Sequence, residues 1–230
     1  KQGDERKFSD KAFATNTKRF LFADQVRDNI FRTLVTGVPV ITAYEAVTYW
    51  LFANGYIGIL SIESGTFAFW AWFVLLLLLA PVVHSLHFYF THRLLHWRPL
   101  YRSVHRIHHY NVEVGPWSGI AMHPVEQVIY FSTVCVQWLL ALHPVNALYQ
   151  IQLAAFLPAM SHSGYEKLLV NGQDSGWDSG SYFHYLHHKY FECNYGGAIA
   201  PMDQLFGTFH DGSPEAQKAM RERMLARRGQ

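Results

Sequence analysis

Thirteen of the fourteen histidines fall between His84 and His188, and most lie in three short clusters. These are His92-Arg-Leu-Leu-His96, His105-Arg-Ile-His108-His109 and His184-Tyr-Leu-His187-His188. Residues three or four apart share a helical face, so each cluster can aim two or three imidazoles at one point. Eight clustered imidazoles exceed the four positions of a closed zinc site. The spacing predicts two metal ions in one pocket, and a fold that brings three chain segments together.

The apolar residues are segregated from the charged ones, although the mean hydropathy is zero. Thr66 to Val83 carries no charge and includes the run from Val74 to Leu79. That is close to the ~20 residues a spanning helix needs. Val35 to Phe52 is a second candidate, interrupted by Glu45 and kinked or started by Pro39. Val128 to Leu142 and Ala147 to Met160 are shorter; as spans they form a second hairpin turning at His143-Pro144-Val145-Asn146. Lys and Arg are missing from Ala53 to His92 and from Ile107 to Glu166, the two stretches that contain the proposed outer turns. They return at Arg93, Arg98, Arg102 and Arg106 and from Lys167 onward. This positive-inside pattern predicts an even number of crossings, with both termini and all three clusters on the cytoplasmic side.

The expected fold class is therefore all-α: an integral membrane four-helix stem of two transmembrane hairpins under a helical, histidine-rich cytoplasmic cap. One domain is expected over residues 1–230, with a core at about 30–210 and cytoplasmic flanks at 1–29 and 211–230, in a bacterial inner membrane or the endoplasmic reticulum. No cleavable signal sequence is recognisable, and because the chain begins without Met an upstream segment is expected. The net charge of +2 and the lack of a basic stripe with interleaved aromatics give no sign of nucleic-acid binding. Cys135 in a candidate span and Cys193 beside the last cluster are not expected to pair.

Buried polar groups are costly unless paired, so three clusters of one spacing demand a common purpose. His84, His87, His143 and His210, taken singly, read as hydrogen-bonded core residues. The first cluster follows directly on the long apolar run. The second follows Trp97-Arg-Pro99, whose proline starts a new helix near Leu100. The third follows the turn-rich loop Asn171 to Gly180. Imidazole suits zinc, copper, iron and nickel. Nearly ten neutral nitrogens, roughly five per ion, leave each ion a position for water or oxygen. A redox metal with open positions beside an apolar pocket activates dioxygen, which favours iron, although zinc binds such sites more tightly and is possible in purified protein.

The order HxxxH, HxxHH, HxxHH resembles the membrane-bound fatty acid hydroxylase and sterol desaturase superfamily. Ala121-Met-His-Pro-Val-Glu126 is similar to its His-Pro-x-Glu element, and Ser161-His-Ser-Gly-Tyr-Glu166 to its His-Ser-Gly-Tyr element. His187-His188 through Asn194-Tyr-Gly196 to Asp203-Gln-Leu-Phe-Gly-Thr208 resembles its ending. The resemblance covers about Leu86 to His210. It implies a four-helix membrane stem, a cytoplasmic cap, a dinuclear iron centre and oxidation of a lipid C–H bond with dioxygen. The ligands it implies are His92, His96, His105, His108, His109, His162, His184, His187 and His188.

The acidic residue usual upstream of the first cluster is absent, and His84-Ser-Leu-His87 occupies that neighbourhood. His87 and His123 are each an additional ligand or a supporting partner. Glu126 is placed to accept a hydrogen bond from a ligand imidazole. Asn194 either holds a metal-bound water or turns the chain, and Asp178 and Asp203 read as supporting or structural residues. Glu45, an acid within a span, is a functional candidate or a simple helix contact near Tyr44 or Tyr49. The strip Phe206 to Phe209 is expected to pack in the core.

The leading expectation is a dioxygen-dependent, dinuclear-iron lipid hydroxylase, a monooxygenase of a sterol, fatty acyl chain or related lipid. Its substrate would enter from the bilayer past Trp70, Trp72, Phe88 and Phe90. A desaturase of the same family is the alternative, since both reactions begin with the same hydrogen abstraction. A metal transporter or metal-storage protein is the alternative from another class, but transporters place ligands near the bilayer midplane. Electrons must come from a separate reductase, ferredoxin or cytochrome-like carrier, because two cysteines are too few for an iron–sulfur cluster and no flavin or haem motif is visible.

Overall fold

Asp24 caps the first long helix: its Oδ1 accepts the Arg27 N–H at 2.9 Å and satisfies one of the orphan donors of the first turn. In the computed structural model, which describes residues 12–58, 60–169, 176–197 and 199–228, α1 (Gln25–Arg32) continues through a π turn over Thr33–Gly37 into α2 (Val38–Ala53). Pro39 has no N–H, so the Val35 carbonyl lacks its helical donor, and the π turn lies at that point of the ladder. The second long helix is α3 (Phe67–Leu95), capped by Thr66 Oγ1, which accepts the Phe69 N–H at 3.2 Å.

Each continuous helix is 29 residues long and apolar enough to cross a membrane. Both turn much of their apolar surface outward: Trp50 is 57% exposed, Leu78 70% and Phe90 55%. So wide an exposed apolar face is a membrane-facing or partner-facing surface rather than a solvated one. The expected span Val35–Phe52 falls within the first of these helices, and Thr66–Val83 runs from the cap of the second into it.

The expected third span, Val128–Leu142, is instead two short helices, α5 (Pro124–Phe131) and α6 (Val134–Leu140). The break falls at Ser132 and Thr133, and the Ser132 hydroxyl there donates to the Ile129 carbonyl at 2.6 Å. The fourth, Ala147–Met160, lies within α7 (Pro144–Ser161). α7 packs against α2, α3 and α6. Between them lies a core of Tyr130, Phe131, Val134, Ala147, Ile151 and Ala154. Buried amides cross this interface, with Gln150 donating to Thr133 at 3.1 Å and Asn146 to the Phe73 carbonyl at 2.9 Å.

The turn before α3 meets the last turn of α6, because Gly58 N–H donates to the Trp138 carbonyl at 3.2 Å. At the opposite end of α3 lie α4 (Arg98–Ser103), a 3₁₀ turn over His105–Tyr110, α8 (Ser181–Tyr190), α9 (Met202–Leu205) and α10 (Pro214–Arg228).

Two features depart from expectation, the first from an all-helical fold and the second from core packing. β1 (Lys167–Leu169) pairs antiparallel with β2 (Gly176–Asp178), so part of the expected loop Asn171–Gly180 lies in a two-stranded ribbon. The turn joining them lies outside the described residues. The strip Phe206–Phe209 is not core, since Phe206 is 51% exposed and Phe209 47%; Phe206 lies over Tyr89 of α3 instead. Glu45 is half-buried and accepts a hydrogen bond from Gln152 of α7, a simple helix contact. Cys135 and Cys193 are free thiols.

Candidate metal centre

The nine histidines of the expected ligand set divide into two groups, whose ring nitrogens lie within 4.8 Å of one another in each. One group is His92, His96, His105, His109 and His187; the other is His108, His162, His184 and His188. Neighbouring residues part company. His108 and His109 enter different groups, as do His187 and His188, so each HxxHH cluster spans both sites instead of converging on one point. In each triplet the pair four apart stays together. His105 and His109 face the first group, and His184 and His188 the second. The groups adjoin, with the His109 and His188 rings 4.7 Å apart.

The spacing tests whether metal fits. Nε2 of His96 lies 3.1 Å from Nε2 of each of His105, His109 and His187. A neutral imidazole nitrogen carries one proton or one lone pair, so hydrogen bonding satisfies at most one of these three contacts. A shared cation satisfies all of them. Nitrogens about 3.1 Å apart along the edge of an octahedral or square-pyramidal shell lie about 2.2 Å from its centre, near the metal–imidazole bond length of ~2.0–2.1 Å.

Burial sets the protonation states. The imidazoles of His96, His105, His109, His162, His184, His187 and His188 are held well below the usual histidine range, first by loss of water and then by the neighbouring rings. Burial pushes His108 down to about 3. Neutral imidazoles are the form that binds metal.

Four of the remaining ring nitrogens are held from behind, whereas Nδ1 of His109 and of His188 is buried without a hydrogen-bond partner among the described residues. His105 Nδ1 meets Glu126 Oε1 at 2.6 Å, and His162 Nδ1 meets Ser118 Oγ at 2.6 Å. His92 and His187 donate from Nδ1 to the carbonyls of Tyr195 and Cys193, at 2.7 and 2.6 Å. Such partners fix the tautomer and aim Nε2. Glu126 was visible in the sequence; Ser118 had no motif, and a backbone carbonyl leaves no residue signature at all.

His87 and His123 stand apart from both groups. His87 Nε2 contacts Ser132 Oγ at 3.0 Å, and His123 caps α5 by accepting the Val125 N–H at 3.2 Å. Asp178 is exposed, with Oδ1 accepting the Gly180 N–H at 2.7 Å. Asn194 has the left-handed φ of 53° and binds backbone only: Nδ2 donates to the Phe183 and His210 carbonyls, and Oδ1 accepts the His210 N–H. That is the chain-turning role. Asp203 is likewise structural, accepting from the Tyr195 and Gly196 N–H groups and the Thr208 hydroxyl. His143 caps α7, and His210 lies flat against Tyr190.

The four-histidine group borders a cavity of about 330 Å³. His108, His162 and His184 form one wall, and Phe88, Met122 and Leu157 are among the apolar residues of the others. Of the four aromatics expected along a substrate path, only Phe88 lines it. Trp72 is committed elsewhere, donating to the Leu140 carbonyl at 2.8 Å, and Trp70 and Phe90 face outward. Gly119 shapes the cavity edge: a Cβ there would come within 2.6 Å of the Pro158 backbone, so only glycine lets the two segments approach.

The histidine arrangement coincides with a sequence match to the fatty acid hydroxylase family model over residues 77–208. The chain belongs to the fatty acid hydroxylase family. This family member is similar to a Delta(7)-sterol 5(6)-desaturase of Gibberella zeae, 28% identical over 68% of this chain and 50% of the relative. It is also similar to two methylsterol monooxygenases of Aspergillus fumigatus. One is 36% identical over 62% of this chain and 49% of the relative, the other 34% identical over 61% and 48%. The chain spans about half the length of these curated relatives. No solved structure matches it significantly.

Proposed function

We propose that this family member is an integral-membrane, dinuclear-iron oxidoreductase that hydroxylates a lipid C–H bond with dioxygen. The observation that carries the reading is the pair of adjoining all-imidazole groups, one of which opens on an apolar cavity. His92, His96, His105, His109 and His187 hold one ion, and His108, His162, His184 and His188 the other. Iron, when bound there, supplies the redox chemistry that activates dioxygen.

The protein's own residues bind, aim and exclude. Glu126, Ser118 and the Tyr195 and Cys193 carbonyls hold Nδ1 of their imidazoles, so that Nε2 is presented as a lone pair. Phe88, Met122 and Leu157 give the cavity an apolar lining that takes hydrocarbon and keeps water from the reacting carbon. A sterol is the favoured substrate class, because the relatives named above are a sterol desaturase and methylsterol monooxygenases. Electrons come from a separate reductase, ferredoxin or cytochrome-like carrier that docks beside the exposed Arg98, Arg102 and Arg106.

In this reading the two 29-residue helices form one hairpin, and α5–α6 with α7 the other. The groups then lie at the cytoplasmic face, because Arg93 to Arg106 flank them while the two outer turns carry no Lys or Arg. The same reading takes residues 1–230 as one domain. A metal-storage or transport role is disfavoured by the cavity, which offers an organic ligand a place against the histidines.

Expression in a lipid-rich host, with mass spectrometry of the extracted lipids, tests the activity. A product 16 mass units heavier marks hydroxylation, and one 2 units lighter marks desaturation. Neither change, in cells holding iron-loaded protein, overturns the proposal.

A further inference from the structure

His84 is buried in α3, two helical turns before His92, and lines the same cavity as the four-histidine group. Its Nδ1 is buried and has no hydrogen-bond partner among the described residues. An imidazole nitrogen left unpaired inside a protein is costly. Nδ1 of His87, His108, His109 and His188 and Nε2 of His210 share that state, but of these rings only His84 and the group member His108 line the cavity.

The tautomer can be read from the neighbours. Pro158 has no N–H, so the Ala154 carbonyl, four residues earlier in α7, loses its helical donor. The Tyr130 hydroxyl replaces that donor, giving its single proton to Ala154 at 2.8 Å. Tyr130 can then only accept from His84 Nε2, 3.3 Å away. With the proton of the neutral ring on Nε2, Nδ1 is a bare lone pair. It is matched by a hydrogen-bond donor, and a ketone, an ester or an ether offers none.

Phe88 links this nitrogen to the metal centre. Its ring stacks on His84 with centroids 6.1 Å apart, and its centroid lies 6.4 Å from that of His184. The ring that carries this nitrogen thus lines the cavity about one aromatic ring away from the histidines.

We infer that His84 selects lipids bearing a free alcohol, its Nδ1 accepting the O–H while the hydrocarbon lies along Phe88 toward the four-histidine group. The inference deepens the proposed function and rests on it for the lipid nature of the substrate. His84 is a specificity-determining residue here and holds no metal.

The test is equilibrium binding to the purified, metal-loaded full chain in lipid nanodiscs, without turnover. The probes are cholesterol, the same skeleton lacking the hydroxyl (5-cholestene), its 3-ketone, and the pair 1-octadecanol and octadecane. The alcohol of at least one pair is expected to bind about five- to tenfold tighter than its hydroxyl-free partner, the worth of one net hydrogen bond. His84→Phe should abolish that ratio, and His84→Asn, whose Oδ1 replaces the Nδ1 lone pair, should restore part of it, both with unchanged metal content. Should His84→Phe fail to fold, Tyr130→Phe provides the second reading. It frees the ring to take either tautomer and should narrow the preference for the alcohol over the ketone.

Equal binding of every alcohol and its hydroxyl-free partner, or an alcohol preference that survives in His84→Phe, overturns the inference. Absence of lipid oxidation with the alcohol preference intact would instead overturn the proposed function alone.

Discussion

Oε1 of Glu126 lies 2.6 Å from Nδ1 of His105, and each side chain is only 2% exposed. The contact spans 21 residues of sequence and ties the start of α5 to the five-histidine group. Because the carboxylate holds His105 from behind, its removal acts on the metal without touching a ligand. Glu126→Ala should weaken metal binding about 10- to 100-fold, the range found for such supporting partners. Glu126→Gln, which keeps an acceptor oxygen, should lose less. Metal content after dialysis against a graded chelator separates the two. Equal retention in both variants and the unaltered protein would show that Glu126 plays no part.

The division of adjacent histidines between groups gives a sharper expectation than the clusters alone. The iron-loaded protein should hold about two ions per chain. His109→Ala should deplete the five-histidine site and His188→Ala the four-histidine site, so that each retains about one. Elemental analysis with matched protein determination measures this. One ion per unaltered chain after iron reconstitution would sink the dinuclear reading.

Much of the centre was legible in sequence because ligand spacing is local. HxxxH and HxxHH declare themselves within one or two turns, and the long apolar runs ending before Ala53 and at Leu95 declare the two long helices equally well. The division of the ligands was not legible, because it depends on how the His105–Tyr110 turn and α8 face each other across the pocket. The break between α5 and α6 was missed for a related reason: Val128 to Leu142 is apolar but for Ser132, Thr133 and Gln137, and such residues also occur inside unbroken helices, as Thr48 and Thr91 do here. Ser118 and the carbonyls of Tyr195 and Cys193 were invisible since their role comes from position in space. His84 was seen but read as an ordinary core residue; only the geometry of Tyr130, Ala154 and Pro158 reveals its unpaired nitrogen.

Acid should unfold the metal-free protein at an unusually mild pH. Burial holds His108 at about 3 and several neighbouring imidazoles well below the ordinary range, whereas the unfolded chain titrates near ~6.5. The unfolded state therefore binds more protons below that value. Stability is fully present above about pH 6.5 and is lost as pH falls toward the folded values. Each such imidazole costs about 1.4 kcal/mol per pH unit in that window, so three of them cost about 4 kcal/mol. The Tm of chelator-treated protein should be flat from pH 8 to 7 and fall steeply below 6.5, and bound metal should move the fall to lower pH. A constant Tm down to pH 5 would contradict neutral, buried imidazoles.

Gly119 should tolerate no side chain. The Cβ of Gly119→Ala would lie 2.6 Å from the carbonyl carbon and oxygen of Pro158, which are backbone atoms of α7. Overpacking of this kind costs about 1–3 kcal/mol, and the strain falls at the edge of the cavity. A lowered Tm with metal content preserved is expected. An unchanged Tm would show that α7 moves aside freely at Pro158.

The membrane arrangement makes a prediction about sidedness. Ser64 lies in the turn before α3, and Val145 opens α7; both are exposed, while Asn146 beside it is buried. The Gly58–Trp138 hydrogen bond places the turn before α3 at the same end of the molecule as the close of α6. Arg102, exposed in α4, lies beyond the other end of α3. In a Cys135→Ser, Cys193→Ser background, single cysteines at positions 64 and 145 should react with a membrane-impermeant maleimide from outside intact cells. A cysteine at 102 should react only after permeabilisation. α3 is 29 residues long, about 43 Å at 1.5 Å per residue, enough to separate its two ends by a ~30 Å hydrocarbon core. Labelling of all three positions from one side would show that α3 lies along the membrane surface, and the two-hairpin stem would be rejected.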